Sequence, residues 1–493
     1  MAETNGEPPA APSSKKAAGK KKTTRKRKTA ATGKKTAAKT GTKKSAAKKT
    51  ASKNSTGPSN TPRASARRPV FIVDGSRTPF LKARGKPGPF AAADLALGAA
   101  RPLLARQPFE PDALDQVILG CVMPGPDEAN IARIVALRLG CGDRVPAWTV
   151  QRNCASGMQA LDSAWHDIAD GRSELVLAGG VEAMSHAPVL LSQAMVAWLG
   201  QWYGARGAWA RLRALARLRP HHLKPVIGLL RGLTDPVVGL SMGQTAEKIA
   251  HRFGITREAM DSFAMRSHQR LAEALDNGRL DEIETLYDTR GHYYEADDGL
   301  RRDTDMARLA RLKPVFDKPF GQVTAGNSAQ VTDGAAMLVL ASESAVQRYD
   351  LPVIGRIVDS QWAGVDPAQM GLGPVHASTP LLTRGQYALE DIDYWEINEA
   401  FAGQVLACLA AWEDGRYCRD EFGLRSPVGT LDQDRLNVDG GAVSLGHPVG
   451  ASGARIVLHL LHVLAREQAR RGIATLCIGG GQGGAMLVER EQG

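Results

Sequence analysis

The sequence has few aromatic residues and no long uninterrupted apolar run. Phe, Trp and Tyr make up 5% of its 493 residues, and no 18 consecutive residues are apolar. A transmembrane helix needs about 20 predominantly apolar residues, so we expect no transmembrane span. The six cysteines form no Cys-x-x-Cys pair, which argues against a zinc ribbon. No secretory apolar segment is present near residue 1, so we expect reduced thiols and a cytoplasmic location.

Residues 1–68 almost lack acids and lack large apolar side chains. The segment has no Val, Ile, Leu, Phe, Tyr or Trp, and it holds 20 of the 63 Lys and Arg residues but only Glu3 and Glu7 of the 51 acids. Such a segment cannot offset its ordering entropy by burial, so we predict a disordered basic tail. Its Lys-rich blocks are typical of polyanion binding and equally of a solvated tail without a partner.

The remaining residues, 69–493, carry more acids than bases and alternate between strand and helix patterns. Buried strands are predicted at 69–80, 115–122 and 173–180, because β-branched and apolar runs there end in Gly, Ser or Pro. Two helices are expected to begin at an Ala-Ser-Gly triplet and to be followed by a glycine-terminated strand; they occupy the segments after Cys154 and at 450–472. This repetition predicts a duplicated α/β domain.

Cys154 lies in QRNCASGMQAL, at the predicted first turn of a helix. A thiol at that place faces unpaired backbone N–H groups and the positive end of the helix dipole, both of which stabilise a thiolate. Small neighbours leave room for a substrate. A packed core cysteine is an equally good interpretation of this stretch alone.

Three further segments favour a catalytic centre. His447 lies between Gly446 and Pro448, in a rigid turn with little side-chain bulk, as expected for the base of a nucleophilic cysteine. Cys477 precedes a glycine run whose backbone N–H groups can stabilise an oxyanion, although a buried strand cysteine is the alternative. Asn398 lies at a strand-to-helix junction, where simple helix capping would also explain it.

Taken together, the motifs resemble the signatures of the thiolase family, and they occur in the family's order. They are NCASG (153–157), NEAFA (398–402), GGAVSLGHPVGASGA (440–454) and CIGGGQGGA (477–485). The resemblance implies a thiolase fold with duplicated α/β halves in a five-layered αβαβα arrangement. It places an N-terminal domain at 69–345, a C-terminal domain at 346–493, and an inserted loop domain at about 186–312.

The resemblance also implies roles for five residues. Cys154 would be acylated, His447 would take its proton, and Cys477 would exchange a proton with the α-carbon of acetyl-CoA. His447 and a water held by Asn398 would form one oxyanion hole; the backbone N–H groups of Cys154 and Gly479 would form the other. Coenzyme A is a substrate in this chemistry, and neither a metal nor an organic cofactor is implied.

Two departures bear on the subclass. In TAGNSAQ, which is similar to the family's CoA-binding loop, we expect Ala325, Ser328 and Ala329 to contact CoA or the acyl group, and Ala329 stands where a serine is common. Val189 stands where acetoacetyl-CoA-forming members usually have histidine. The long insertion and the segment 407–423 are similar to the β-subunit of the trifunctional fatty-acid oxidation complex. That likeness implies a homodimer or homotetramer with a hydratase/dehydrogenase subunit as a further partner.

Within the insertion, residues 194–233 contain seven Lys and Arg residues and no acid. Trp198, Trp202 and Trp209 recur there at helical spacing, which predicts a basic amphipathic surface for a membrane interface or a partner subunit. A helix that packs its tryptophans on the body of the protein is the alternative. Glycines and Pro220 are expected to divide the stretch into short helices.

The sequence therefore favours thiolytic cleavage of 3-ketoacyl-CoA in fatty-acid β-oxidation. The first alternative is an acetyl-CoA acetyltransferase that forms acetoacetyl-CoA. A non-catalytic, thiolase-like lipid-binding protein is disfavoured because Cys154, His447, Cys477 and Asn398 are all present. A decarboxylating ketoacyl synthase would share the fold, but not a second cysteine before three glycines.

Overall fold

The computed structural model describes residues 68–491, and the expectations for residues 1–67 lie outside this range. The strands are β1 (Val70–Arg77), β2 (Leu81–Lys82), β3 (Gln116–Gly120), β4 (Ala147–Val150), β5 (Leu175–Ala183), β6 (Val189–Leu190), β7 (Val226–Ile227), β8 (Leu286–Tyr287), β9 (Tyr293–Tyr294), β10 (Thr332–Ser342), β11 (Gly355–Gly364), β12 (Tyr394–Ile397), β13 (Arg471–Ile478) and β14 (Gln482–Glu489).

The α-helices lie between these strands and vary from 4 to 20 residues in length. They are α1 (Ala92–Ala105), α2 (Ile131–Arg138), α3 (Ser156–Ala169), α4 (Gln193–Gly204), α5 (Ala208–Ala216), α6 (Gly228–Gly232), α7 (Met242–Arg252), α8 (Arg257–Asp276), α9 (Met306–Ala310), α10 (Glu343–Tyr349), α11 (Gly373–Gly385), α12 (Ala402–Glu413), α13 (Gly415–Phe422), α14 (Ala442–Leu445) and α15 (Ser452–Arg466).

One large sheet contains two halves. Its strand order is β12-β13-β14-β11-β1-β10-β5-β3-β4, with β2 paired to β10. The halves meet where β1 and β11 pair antiparallel over Phe71–Arg356 and Ile72–Gly355. In each half, a helix that begins at Ser-Gly precedes a sheet strand: α3 precedes β5, and α15 precedes β13. The predicted duplication is thus confirmed.

The strands are buried on both faces, and this produces the layers. Along β10, Met337 and Val339 join the apolar cluster under α1 and α2, whereas Leu338 and Leu340 join the cluster around α3 and α15. In the second half, alternate residues of β14 face α15 on one side and α11 on the other. This period of two follows from strand geometry. The predicted αβαβα arrangement is confirmed, with α3 and α15 as the central layer.

The backbone at the start of α3 is in direct contact with the backbone of the segment that precedes α15. A Cβ atom on Gly157, in α3, would lie 2.8 Å from the carbonyl oxygen of Gly450. A Cβ atom on Gly180, in β5, would lie 2.0 Å from the same oxygen. Glycine is required at both positions because no side chain fits. The contact holds the segment before α15 against the start of α3.

The C-terminal segment differs from its prediction in one respect. In place of the single strand expected after the helix at 450–472, β13 and β14 are two antiparallel strands joined by three glycines. Gly480 (φ +91°) and Gly481 (φ +77°) adopt the left-handed conformation that reverses the chain. The glycine run therefore forms a hairpin turn.

The stretch 194–233 is divided into short helices as predicted. The helices α4 and α5 are separated at Ala205–Gly207, a 3₁₀ turn occupies Pro220–Leu223, and α6 follows β7. Over residues 68–491, every helix is too short or too polar to cross a bilayer.

The backbone contact of α3 yields a stability prediction. Gly157→Ala should lower the free energy of unfolding by about 1–3 kcal/mol, since the added methyl group overpacks the contact with Gly450. The matched control is Gly200→Ala in α4, where a Cβ would meet no atom within 4 Å. It should be neutral or stabilising by up to about 1 kcal/mol. Denaturant midpoints measure both; equal midpoints for the two variants would contradict the assigned packing.

Candidate active site

A cavity of about 350 Å³ opens where the start of α3, the segment before α15 and the end of β13 meet. Cys154, His447, Cys477 and Gly479 all line it. Residues that are far apart in the sequence thus line the same cavity.

Cys154 lies one residue before the N-cap of α3, not in the predicted first turn. The reason is Asn153, whose left-handed backbone (φ 45°) turns the chain before the helix begins. The Asn153 side chain donates to the carbonyl oxygen of Gly479 at 2.7 Å. The backbone N–H of Gly479 lowers the pKa of the Cys154 thiol. The Asn153 bond holds the loop of Cys154 against the glycine turn.

The resting form of Cys154 is the thiol. Burial raises the pKa of the Cys154 thiol, and the nearby Glu182 carboxyl adds to the rise. The backbone N–H groups of Gly479 and Cys154 lower the pKa, but by less. The expected stabilisation of a thiolate is therefore outweighed by burial, and the site needs a base.

His447 has the geometry of that base. Its Nδ1 lies 2.7 Å from the Ser452 hydroxyl oxygen, and that hydroxyl donates to the Pro448 carbonyl at 3.0 Å. Both contacts are hydrogen bonds together only if Nδ1–H donates to Ser452, and we assign this tautomer, which leaves Nε2 without a proton. Nε2 is buried without a protein partner, and the residue lines the cavity. Burial lowers the pKa of His447 to about 4, so the ring is neutral at pH 7.

Cys477 is the second thiol of the cavity. It is 2% exposed near the end of β13, where it pairs with Gly483 of β14. Burial raises the pKa of Cys477 well above its ordinary value, and Cys154 contributes to the rise. The raised pKa keeps Cys477 protonated at pH 7, so a thiol proton is present that can be donated to a carbanion.

Asn398 and Glu399 follow β12. Asn398 is fully buried, and neither its side-chain oxygen nor its nitrogen has a protein partner. Its amide can thus bind a small polar group. The Glu399 carboxylate accepts bonds from Ser267 (2.7 Å), Asn437 (2.8 Å) and the Val443 N–H (3.1 Å). Glu399 thereby anchors the segment that carries His447.

The residues expected to bind CoA or the acyl group separate into two sets. Ser328 and Ala329 line the cavity, and the Ala329 N–H donates to the Ala400 carbonyl at 3.0 Å. Ala325 is exposed and is not part of the cavity lining. The same loop supplies the Gln330 carbonyl that accepts from the His447 N–H at 3.0 Å.

Sequence reasoning missed Glu182 and Ser452. Glu182 is buried in β5, where its carboxylate accepts from Val122 and Met123 N–H groups, both at 2.9 Å. Burial raises the pKa of Glu182 to about 7. An acidic residue within the otherwise apolar strand LVLAGGVEA could have indicated that Glu182 is a functional residue. Ser452 carried no such signal, because its partner is visible only in three dimensions.

Sulfur, a neutral imidazole and backbone N–H groups around one apolar cavity can perform acyl transfer. Among residues 68–491, no group of three or more His, Cys, Asp or Glu side chains could hold a metal ion.

Comparison with known proteins identifies the family. Residues 70–344 match the model of the thiolase N-terminal domain, and residues 351–490 match that of the thiolase C-terminal domain. The 3-ketoacyl-CoA thiolase of Yersinia pestis (strain Pestoides F) is 36% identical over 427 residues, which are 86% of this chain and 97% of that protein. The chain belongs to the thiolase family.

Solved structures of other proteins are also similar to this chain. The acetyl-CoA acetyltransferase of Bacillus anthracis has a TM-score of 0.74 at 38% identity, covering 87% of this chain and 100% of that one. Human mitochondrial 3-ketoacyl-CoA thiolase, solved in complex with CoA, has a TM-score of 0.74 at 35% identity, covering 86% and 98%.

The tautomer of His447 can be tested through Ser452. Ser452→Ala removes the acceptor of Nδ1–H, so alkylation of Cys154 by iodoacetamide at pH 7 should slow about ten-fold, the worth of one buried hydrogen bond. The control is Ser444→Ala, which removes a buried hydroxyl that donates to Gly441 instead. In the unsubstituted protein, the rate should lose its His447-dependent part near pH 4, because protonation removes the base. A loss near pH 6.5, or equal rates in both variants, would refute the assignment.

Proposed function

We propose that this chain is a catalytic thiolase that cleaves 3-ketoacyl-CoA to acetyl-CoA and a shortened acyl-CoA, reversibly, in fatty-acid β-oxidation. The observation that carries the proposal is the shared cavity of Cys154, His447 and Cys477. The names of the relatives support the substrate, and the CoA complex of the human neighbour supports CoA as the second substrate. We propose that no metal or organic cofactor takes part.

In the first half-reaction, His447 Nε2 takes the Cys154 proton and the sulfur attacks the 3-keto carbon. The bond between carbons 2 and 3 then breaks, leaving an acyl thioester on Cys154 and the enolate of acetyl-CoA. Protonated His447 and a water on Asn398 stabilise the enolate oxygen. Cys477 gives its proton to carbon 2, and acetyl-CoA leaves.

In the second half-reaction, the sulfur of incoming CoA attacks the Cys154 thioester. The backbone N–H groups of Cys154 and Gly479 stabilise the tetrahedral oxyanion, as positioned backbone N–H donors do in acyl transfer. The CoA thiol proton neutralises the Cys477 thiolate, and His447 returns its proton to the Cys154 sulfur. Each group is restored after one turnover.

The alternative is an acetyl-CoA acetyltransferase that forms acetoacetyl-CoA; the name of the Bacillus anthracis neighbour favours it. Thiolysis of acetoacetyl-CoA and of a C16 3-ketoacyl-CoA separates the two. Turnover of the long substrate supports the β-oxidation assignment, and turnover of acetoacetyl-CoA alone supports the alternative.

We also propose the organisation of the chain. The N-terminal domain occupies 69–345, with its loop domain at about 186–312, and the C-terminal domain occupies 346–493; the two family-model matches support the division. We propose a homo-oligomer in the cytoplasm, peripheral to a membrane and able to join a β-oxidation hydratase/dehydrogenase subunit. Residues 1–68 are proposed to bind polyanions, which their deletion tests through lost retention on heparin.

Cys477 and His447 should be separable kinetically. In Cys477→Ala, iodoacetamide should still alkylate Cys154, because His447 remains, but α-proton exchange of acetyl-CoA should fall about 10²–10⁴-fold. In His447→Ala, alkylation itself should slow.

The control is Cys141→Ala, since Cys141 is buried in a different core cluster, outside the cavity lining, and should affect neither rate. Near-normal exchange in Cys477→Ala would remove Cys477 from the mechanism.

A further inference from the structure

The insertion between β6 and α6 has little core of its own. From 189 to 233, the buried residues are Trp198 and Ala214. The Trp198 indole N–H donates to the Ala214 carbonyl at 2.8 Å and its ring stacks on Trp202 at 5.7 Å. The three tryptophans therefore do not form the common surface that their spacing predicted: Trp198 is bonded to α5, whereas Trp209 is 77% exposed.

Large apolar side chains project from this insertion into solvent. They are Val189, Leu190, Leu191, Val196, Tyr203, Trp209, Leu212, Leu215, Leu223, Ile227 and Leu230, with exposed fractions between 44% and 82%. Soluble monomers rarely expose so many apolar side chains in one region, and those that do use them for binding.

The same surface is cationic. No acid occurs between Glu182 and Asp235, while seven bases do: Arg206, Arg211, Arg213, Arg217, Arg219, Lys224 and Arg231. Within the described range, none of the seven forms an ion pair with a carboxylate. Two copies of this surface would repel each other, so a symmetric self-contact is disfavoured.

The insertion also reaches the cavity. Leu230 of α6 is 61% exposed and nevertheless lines the cavity beside Leu233. Leu229 and Gly232 line an adjoining recess of about 50 Å³ that also includes Cys154. One short helix therefore forms both a wall of the site and an edge of the exposed surface.

We propose that the insertion (189–233) docks on an anionic lipid bilayer, with the mouth of the acyl cavity at the lipid surface. Exposed Trp, Tyr and Leu side chains with unpaired arginines and no acid are the composition of an interfacial binding surface. Resting on the proposed function, this contact brings the cavity to 3-ketoacyl-CoA whose long acyl chain partitions into lipid.

The test uses residues 64–493, because the basic tail would bind anionic vesicles by itself. The relatives justify this truncation: the matched part of this chain covers 97% of the Yersinia protein and 100% of the Bacillus chain. Co-sedimentation with vesicles of phosphatidylglycerol and phosphatidylcholine is compared with phosphatidylcholine alone.

Two variants probe the surface: the triple charge reversal Arg206→Glu, Arg213→Glu, Arg217→Glu, and the apolar variant Trp209→Ser, Leu212→Ser. The control reverses Arg101, Arg144 and Arg425, exposed arginines elsewhere that have no carboxylate partner in the described structure. Each arginine near an anionic lipid surface contributes about 1 kcal/mol to the binding free energy, which is about five-fold in affinity. The triple reversal should therefore weaken binding to anionic vesicles at least about hundred-fold. Added salt should weaken it too.

Binding of the truncated protein to anionic vesicles, lost in both surface variants and kept in the control, supports the proposal. Absent binding, equal loss in the control, or a protein partner held by this surface without vesicle binding would overturn it. Thiolysis of acetoacetyl-CoA in free solution should be unchanged in the triple reversal. That assay reports separately on catalytic thiolase activity, which is contradicted if thiolysis in free solution is itself missing.

Discussion

The contact between the α3 start and the segment before α15 is the constraint on which the site depends. Gly157 and Gly180 lie against the Gly450 carbonyl at distances that no side chain permits. This contact places the loop of Cys154, from one half of the fold, beside the loop of His447, from the other. The two halves of the duplicated α/β fold thus form one catalytic cavity, because their backbones are in contact where the halves meet.

Burial then determines the protonation states of the residues that line that cavity. It raises the pKa of both thiols, Cys154 and Cys477, and lowers that of His447. The resting site therefore holds two protonated sulfurs and a neutral imidazole, so proton transfer to His447 must accompany attack by Cys154. The apolar cavity also raises the strength of every hydrogen bond to a developing oxyanion. Ser452 orients the base and Glu399 anchors its loop, although neither touches the cavity.

The duplicated α/β plan could be predicted from patterns in the sequence, whereas the layered arrangement and the roles of the site residues were implied by the resemblance to the thiolase family. Cys154, His447 and Cys477 stand among glycines, and the strands carry continuous apolar runs. The turn formed by Gly480 and Gly481 was mistaken for part of one strand, since a glycine run has no fixed conformation in sequence.

Contacts between distant residues could not be predicted. The bond from Asn153 to Gly479 joins residues 326 positions apart, and the tautomer of His447 depends on a serine whose own hydrogen is already used. The distribution of the insertion's tryptophans between core and surface likewise depends on the packing of α4 on α5, which is visible only in the structure.

The central claim is that Cys154 alone carries the acyl group. Acid quenching after mixing with acetoacetyl-CoA, without free CoA, followed by peptide mass spectrometry, should find an acetyl group on Cys154. An acetyl group on Cys477, or an adduct that survives Cys154→Ala, would contradict the account.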